Sequence, residues 1–325
     1  MSQVGRGYGG PLADHGHALL WSDAPSGVID LNPVGFSDSW ADTATETQQA
    51  GWGSGTATGM YDHALLWNGS AAGVQDLNPA GFQSSSVRRM SATSQVGFAF
   101  APGANQQAML WYGTAASAVN LQPAFAIWSR TDGVDENSQV GTAVRSSFET
   151  EHATLWHGSA ASAIDLHPAG FYDSGANGVD AEYQVGSGRL SSNHNATHAL
   201  LWHGTAASAI DLAPAGYLFS VAEAIKGNTQ VGFGNVGFQG NTDHALVWYG
   251  TAASVVDLNQ YLSPLGTFVG AEAFDVNENG DIIGTAFSSS GIQYAVKWTY
   301  VPEPSAAATL GLAAIIGICR RKRKA

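Results

Sequence analysis

Cysteine is nearly absent: Cys319 is the only one in 325 residues, and it lies in the C-terminal tail. The body therefore has no disulfide, no thiolate metal site and no cysteine nucleophile. Charge is also scarce, at 12% of residues, and positive charge is scarcest. Five of the 13 basic side chains, Arg320, Arg321, Lys322, Arg323 and Lys324, sit in the last six positions, which leaves 8 against 26 acidic ones elsewhere. Such a surface repels phosphate backbones, which excludes nucleic acid as a partner, and attracts cations. Before the tail, apolar runs rarely exceed five residues, and glycine or proline interrupts every dozen or so. Long helices are excluded on that pattern. Gly-x-Ser-x-Gly, His-Glu-x-x-His, Walker and dinucleotide-glycine motifs are all missing, so no familiar nucleophile, zinc or nucleotide site is written locally in the chain.

What is present in abundance is glycine, 40 residues, with ten tryptophans and ten tyrosines. This is the composition of short strands joined by tight turns. The tryptophans reveal a repeat: Trp21, Trp67, Trp111, Trp156, Trp202, Trp248 and Trp298 are spaced by 46, 44, 45, 46, 46 and 50 residues. Four residues before each stands His17, His63, Gln107, His152, His198, His244 or Tyr294. Nine residues after the first six stand Asp30, Asp76, Asn120, Asp165, Asp211 and Asp257, each followed by leucine. About sixteen residues upstream lies a glycine, usually within Gln-Val-Gly: Gly5, Gly51, Gly97, Gly141, Gly186, Gly232 and Gly284.

Each unit reads as four short strands: an irregular one near Val134, Val179 or Ile225, then Gln-Val-Gly, His-Ala-Leu-Leu-Trp and Ser-Ala-Ile-Asp-Leu. Four strands in about 45 residues match a propeller blade. The expected fold is all-β, a β-propeller of seven four-stranded blades, with a β-solenoid as the alternative. The repeat domain spans 1–300, in units near 2–49, 50–95, 96–139, 140–184, 185–230, 231–280 and a partial 281–300, and a tail spans 301–325. The first unit lacks its initial strand and the seventh its final one. Sequence upstream of Met1 is the expected source of both, since Met1 to Tyr8 also lacks the basic and apolar regions of a signal peptide.

The tail joins Pro302-Glu303-Pro304, an apolar run over 306–319 and the basic stop Arg320 to Lys324. The run is 14 residues, or about 21 Å as a short hydrophobic helix against a hydrocarbon core of roughly 30 Å. The ordered combination resembles the PEP-CTERM sorting signal of Gram-negative bacteria. The resemblance implies export, transient inner-membrane anchoring, recognition near the triplet by an exosortase, removal of the tail, and delivery to the cell surface or exopolysaccharide matrix. The body, with His-Ala-Leu-Leu-Trp, Asp-Leu and upstream Gln-Val-Gly, resembles the extracellular HAF repeat, with leucine or methionine where phenylalanine is usual. That implies a secreted repeat protein without an established activity.

A feature copied into nearly every unit reads as architecture, so the histidine, tryptophan and aspartate columns are expected to be structural, with no cofactor or metal. Asp275 to Asp281 has the oxygen spacing of a calcium loop, but Ala286 stands where the bidentate glutamate belongs. A polar hairpin turn is the favoured reading there. The expected function is non-catalytic binding or structural work at the cell surface or in the matrix, towards polysaccharide or a surface protein. The ligand surface is expected on segments that differ between units, such as 37–48 and 83–94, where Trp40, Trp52 and Trp128 read as blade packing first and as sugar-stacking candidates second. The alternative is a secreted glycosidase or lyase, which would need two carboxylates brought together from among Glu149, Glu182, Glu223 and Glu272.

Overall fold

The computed structural model describes residues 3–9, 12–21, 27–147, 150–235, 243–262, 266–301 and, as backbone, 311–321. The first sheet holds β1 (Gln3–Gly9), β2 (Leu12–Trp21) and β3 (Val28–Asp30). Three four-stranded meanders follow. They are β4 (Asp38–Ala44), β5 (Gln49–Ser54), β6 (His63–Trp67) and β7 (Gln75–Asp76); β8 (Ser84–Met90), β9 (Gln95–Phe100), β10 (Gln106–Trp111) and β11 (Val119–Asn120); and β12 (Trp128–Val134), β13 (Gln139–Val144), β14 (His152–Trp156) and β15 (Ile164–Asp165). An eight-stranded sheet unites two more meanders, β16 (Phe171–Asp180), β17 (Tyr183–Leu190), β18 (Thr197–Trp202), β19 (Ile210–Asp211), and β20 (Phe219–Lys226), β21 (Thr229–Asn235), β22 (His244–Trp248), β23 (Val256–Asp257). The last sheet is β24 (Phe268–Val276), β25 (Ile282–Ser288), β26 (Gln293–Val301) and β27 (Gly311–Arg321). The chain divides into two compact units, Met1–Ile164 and Asp165–Ala325.

Three expectations change. Five sheets have four or more strands, rather than seven separate four-stranded blades, because one parallel pairing, Thr197 with Phe219, merges two meanders and the first sheet has three strands. The described part of the expected hydrophobic helix over 306–319 is not helical: Gly311–Arg321 is a strand paired antiparallel to β26 from Val301↔Gly311 to Gln293↔Arg321. Its cause is an unpaired ladder: no short fourth strand follows Trp298, and a run containing Ile315, Ile316 and Ile318 suits that edge. Among the described residues, no helix is long and apolar enough to cross a membrane. Finally, segments 37–48 and 83–94 are not loops: most of each is a first strand, β4 or β8.

Each first strand carries a bulge, and the repeated glycine makes room for it. Opposite the bulge, a Cβ on Gly51, Gly97, Gly141, Gly186, Gly232 or Gly284 would lie 2.0 to 2.1 Å from the carbonyl oxygen of Trp40, Ser86, Arg130, Gly175, Val221 or Glu272. The bulged residues are Asp42, Arg88, Asp132, Asn177, Glu223 and Phe274. A bulge breaks period-two alternation, which is why these strands read as irregular.

Burial centres on the tryptophan column: Trp67, Trp111, Trp156, Trp202, Trp248 and Trp298 are fully buried. Trp67 packs on Ala18, Leu20 and Leu31 from the preceding sheet, and Trp111 on Ala50, Leu66 and Leu77 from its own predecessor. Within each unit the stacking of one sheet on the one before is thus set by one large side chain per repeat. Expected fourth strands of five residues shrink to two, because Ala-Ala-Ser, as in Ala206–Ser208, forms a 3-10 turn first. The glutamine of Gln-Val-Gly, buried as Gln184, accepts a hydrogen bond at 2.8 Å from the N–H of turn residue Gly204, whose φ is +72°. Only a residue without a Cβ adopts that conformation at no steric cost.

Candidate functional site

The histidine and aspartate columns meet. Nδ1 of His17, His63, His198 and His244 lies 2.7, 2.7, 2.6 and 2.5 Å from Oδ2 of Asp30, Asp76, Asp211 and Asp257. The other carboxylate oxygen accepts the backbone N–H two residues on, 2.8 Å at Asn32, Asn78 and Ala213. In the third repeat both partners differ together: Asn120 Nδ2 donates to Gln107 Oε1 at 2.6 Å. His152 begins β14 and Asp165 ends β15 at the matching positions, while Tyr294 packs edge-on against Phe268.

From Asp30 and Asp76 a second relay runs to the next first strand. Asn32 Oδ1 accepts from the Ser39 hydroxyl at 2.6 Å, and Ser39 Oγ accepts the Ala18 N–H at 3.0 Å; Asn78, Ser85 and Ala64 repeat it at 2.7 and 3.0 Å. Ser39, Ser85, Ser129, Ser174 and Ser220 are all buried. Sequence reading missed this serine column, although it stands eighteen residues after each of five tryptophans.

The coupled change in the third repeat makes a prediction. His198→Gln alone is expected to cost about 1 kcal/mol, since an amide hydrogen bond replaces an imidazole–carboxylate pair. Adding Asp211→Asn should recover much of that, with a favourable coupling of about 0.5–1 kcal/mol in a double-mutant cycle of urea unfolding. Strictly additive costs would mean that the two columns are independent.

Against this repeated scaffold the bulge row varies. In the first unit it runs Asp42, Arg88, Asp132, alternating in charge. Arg130 Nε donates to Asp132 Oδ2 at 2.8 Å, and Arg88 Nε lies 3.6 Å from Oδ1 of the same residue. Burial pushes Asp42 up to about 6 despite the nearby charges of Arg88 and Arg89. In the second unit the row runs Asn177, Glu223 and Phe274, and Asn177 Nδ2 donates to the Ala222 carbonyl at 3.1 Å.

Two of the candidate acids come together here. Burial, a hydrogen bond with the Asp243 carboxyl and the charge of Glu223 push Glu272 up to about 7. Asp243 Oδ1 also accepts from Asn235 Nδ2 at 2.7 Å. Glu182 instead lies 2.9 Å from His203 Nε2 on an exposed turn, and Glu149 lies outside the described residues. A carboxyl raised in the folded state weakens folding once it must ionise. The chain should therefore lose stability as pH rises from about 4.5 to about 7. Glu272→Gln should remove the part of that loss that Glu272 carries, leaving the part due to Asp42, and should make the protein more stable than the parent at pH 8 by on the order of 1 kcal/mol, a figure reduced for solvent screening, with the gap closing near pH 4.5. Parallel melting curves across that range would refute it.

The aromatic candidates are engaged in packing. Trp40 and Trp52 stack with centroids 6.5 Å apart, and the Arg6 guanidinium lies 5.3 and 5.8 Å from their rings. Trp128 opens β12, half-buried. Burial alone would raise the pKa of Asp38, but hydrogen bonds from Gly16 N–H and His15 and the charge of Arg6 hold it below the ordinary range. At the calcium-like stretch, Asn277 Oδ1 accepts the N–H groups of Asn279 and Asp281, both at 2.9 Å, and Lys297 pairs with Asp281 at 2.7 Å. That is the bonding of an Asx turn between β24 and β25. Among the described residues no group of three or more histidine, cysteine or carboxylate side chains could hold a metal. Pro302, Glu303 and Pro304 lie outside the described residues, as do Lys322, Arg323 and Lys324; Arg320 and Arg321 end β27.

No family model matches the chain, and no curated protein matches it. Solved structures do. The β-propeller domain of the Trilobed protease from Pyrococcus furiosus, described as having an open velcro topology, is 11% identical, with 91% of this chain and 89% of that chain covered and a TM-score of 0.59. Pyrococcus horikoshii acylaminoacyl peptidase is 12% identical over 91% of this chain and 49% of its own, with a TM-score of 0.56. A prolyl endopeptidase is 11% identical over 94% and 47%, also with a TM-score of 0.56. This chain thus spans about half the length of those two peptidases. Likeness at such identities is one of fold, and the fold is an all-β β-propeller.

Proposed function

We propose that this chain is a non-catalytic binding module of an exported protein, and that the bulged row of its first strands faces the ligand. One observation carries the reading. Opposite a glycine that recurs in six repeats, the bulged side chain differs from repeat to repeat in charge and size: Asp42, Arg88, Asp132, Asn177, Glu223, Phe274. Bulges re-aim side chains out of the sheet's alternation and recur beside functional sites. An invariant scaffold presenting variable chemistry is the arrangement of a recognition surface. The tail supports a destination at the cell surface or in an exopolysaccharide matrix: its triplet, apolar run and basic stop suit an exosortase-handled signal, and polysaccharide or a surface protein would be the partner.

The test is an array of bacterial surface polysaccharides probed with the body of the protein. Binding to at least one, weakened about tenfold by Arg88→Ala or Glu223→Gln, is the expected result. No binding, or binding indifferent to both changes, would overturn it. A second reading, an enzyme acting on polysaccharide, draws on the gathering of Glu272, Asp243 and Glu223. Release of reducing ends that stops in Glu272→Gln would favour it over a binding module.

A further inference from the structure

A groove of about 590 Å³ lies in the second unit, where the turns ending β16, β20 and β24 come together, and its size is that of small-ligand sites. The repeat itself shows that these turns are unusual. At one position of this turn the first unit has Thr45, Ser91 and Asp135, whose side chains accept the backbone N–H three residues on at 3.1, 3.2 and 2.6 Å. The matching residues in the second unit are Asp180, Lys226 and Asn277; Asn277 binds its own turn, whereas Asp180 and Lys226 reach across to each other. Lys226 Nζ lies 3.0 Å from Asp180 Oδ1 and 3.4 Å from Glu278 Oε1, and the Gly227 N–H donates to Asp180 Oδ2 at 2.7 Å.

Both oxygens of Asp180 are thus engaged, and Lys226 is shared between two carboxylates. The groove keeps one surplus negative charge, at Glu278, whose side chain is 84% exposed. Around it stand the Tyr249 ring, partly exposed, the buried Val247 and Ile282, and the polar Thr229 and Asn279. An aromatic wall and apolar floor suit the C–H face of a sugar ring, the amide and hydroxyl suit its hydroxyls, and the surplus carboxylate suits a cation. A phosphorylated or uronic sugar would meet repulsion instead.

We propose that this groove binds a protonated amino sugar, with its ammonium on Glu278 and its ring against Tyr249. The site is separate from the bulged row. Isothermal titration at about pH 6, below the pKa of an amine, would compare a glucosamine hexamer, an N-acetylglucosamine hexamer and cellohexaose. The glucosamine hexamer should bind at least about tenfold tighter than the other two, and Glu278→Gln and Tyr249→Ala should each weaken it about tenfold. Arg88→Ala should leave it unchanged, so the groove and the bulged row stand or fall apart. Glu136→Gln, on an exposed turn of the first unit, controls for general attraction to an acidic protein. No binding of the glucosamine hexamer, equal binding of the acetylated one, or equal weakening by Glu136→Gln would overturn the proposal.

Discussion

Trp111→Ala is expected to cost about 3–5 kcal/mol, a large share of the stability of a single domain. Trp111 is fully buried against Ala50, Ala64, Leu66, Leu77, Val87 and Ala99, which come from its own sheet and the one before. Those neighbours are small or aliphatic side chains on hydrogen-bonded strands, so they cannot collapse into the space an indole leaves. The effect should appear as a lower urea midpoint and as faster hydrogen exchange in both sheets. Trp111→Phe separates packing from polarity. The indole N–H has no hydrogen-bond partner in the protein, so phenylalanine loses volume but no bond, and its cost should be less than half that of alanine. A phenylalanine variant as unstable as the alanine one would show that the N–H contributes.

Gly141→Ala should be nearly as damaging, about 3 kcal/mol or more, although it adds a single methyl group. Its Cβ would lie 2.1 Å from the Arg130 carbonyl oxygen and 2.8 Å from the Thr131 Cα, both backbone atoms. Nothing flexible can yield, so relief requires undoing the bulge at Asp132. That would shift the alternation of β12 by one and move the buried Ser129 and Thr131 off their partners. Gly158→Ala is the comparison: its φ is +74° and nothing lies near its Cβ. It should cost only about 1 kcal/mol of backbone strain. Equal losses by thermal melting would mean that the bulge is not what the repeated glycine serves.

Much of the scaffold was legible because each contact recurs. Trp67, Trp111, Trp156, Trp202, Trp248 and Trp298 mark one core position each, and the His63–Asp76 type of pair could be suspected from fixed spacing. The first strands were harder to read. Their bulge disrupts alternation and their sequences differ at most positions, so segments such as Asp38–Ala44 look like variable loops when they are strands. The serine column went unseen because serine is common and carries no hydrophobic signal, yet Ser39 and Ser85 link successive sheets. Glu272 and Glu223 meet only because neighbouring first strands lie side by side, a fact of sheet stacking that no local spacing encodes. Towards the end of the chain the apolar run over 306–319 reads as a short helix, but its described part, 311–319, pairs as a strand with β26.

The two-residue fourth strands have a consequence for how copies of this protein tolerate one another. A chain built of near-identical sheets risks recruiting its neighbours edge to edge, because every outer strand is a template for the next. Gln75–Asp76 and Ile210–Asp211 offer such a template only two residues of ladder, and each closes with a carboxylate that binds its own backbone. At high concentration, these molecules would keep their edges to themselves. The eleven-residue β27 departs from that economy, and it marks where fibre-like association of the intact chain would start.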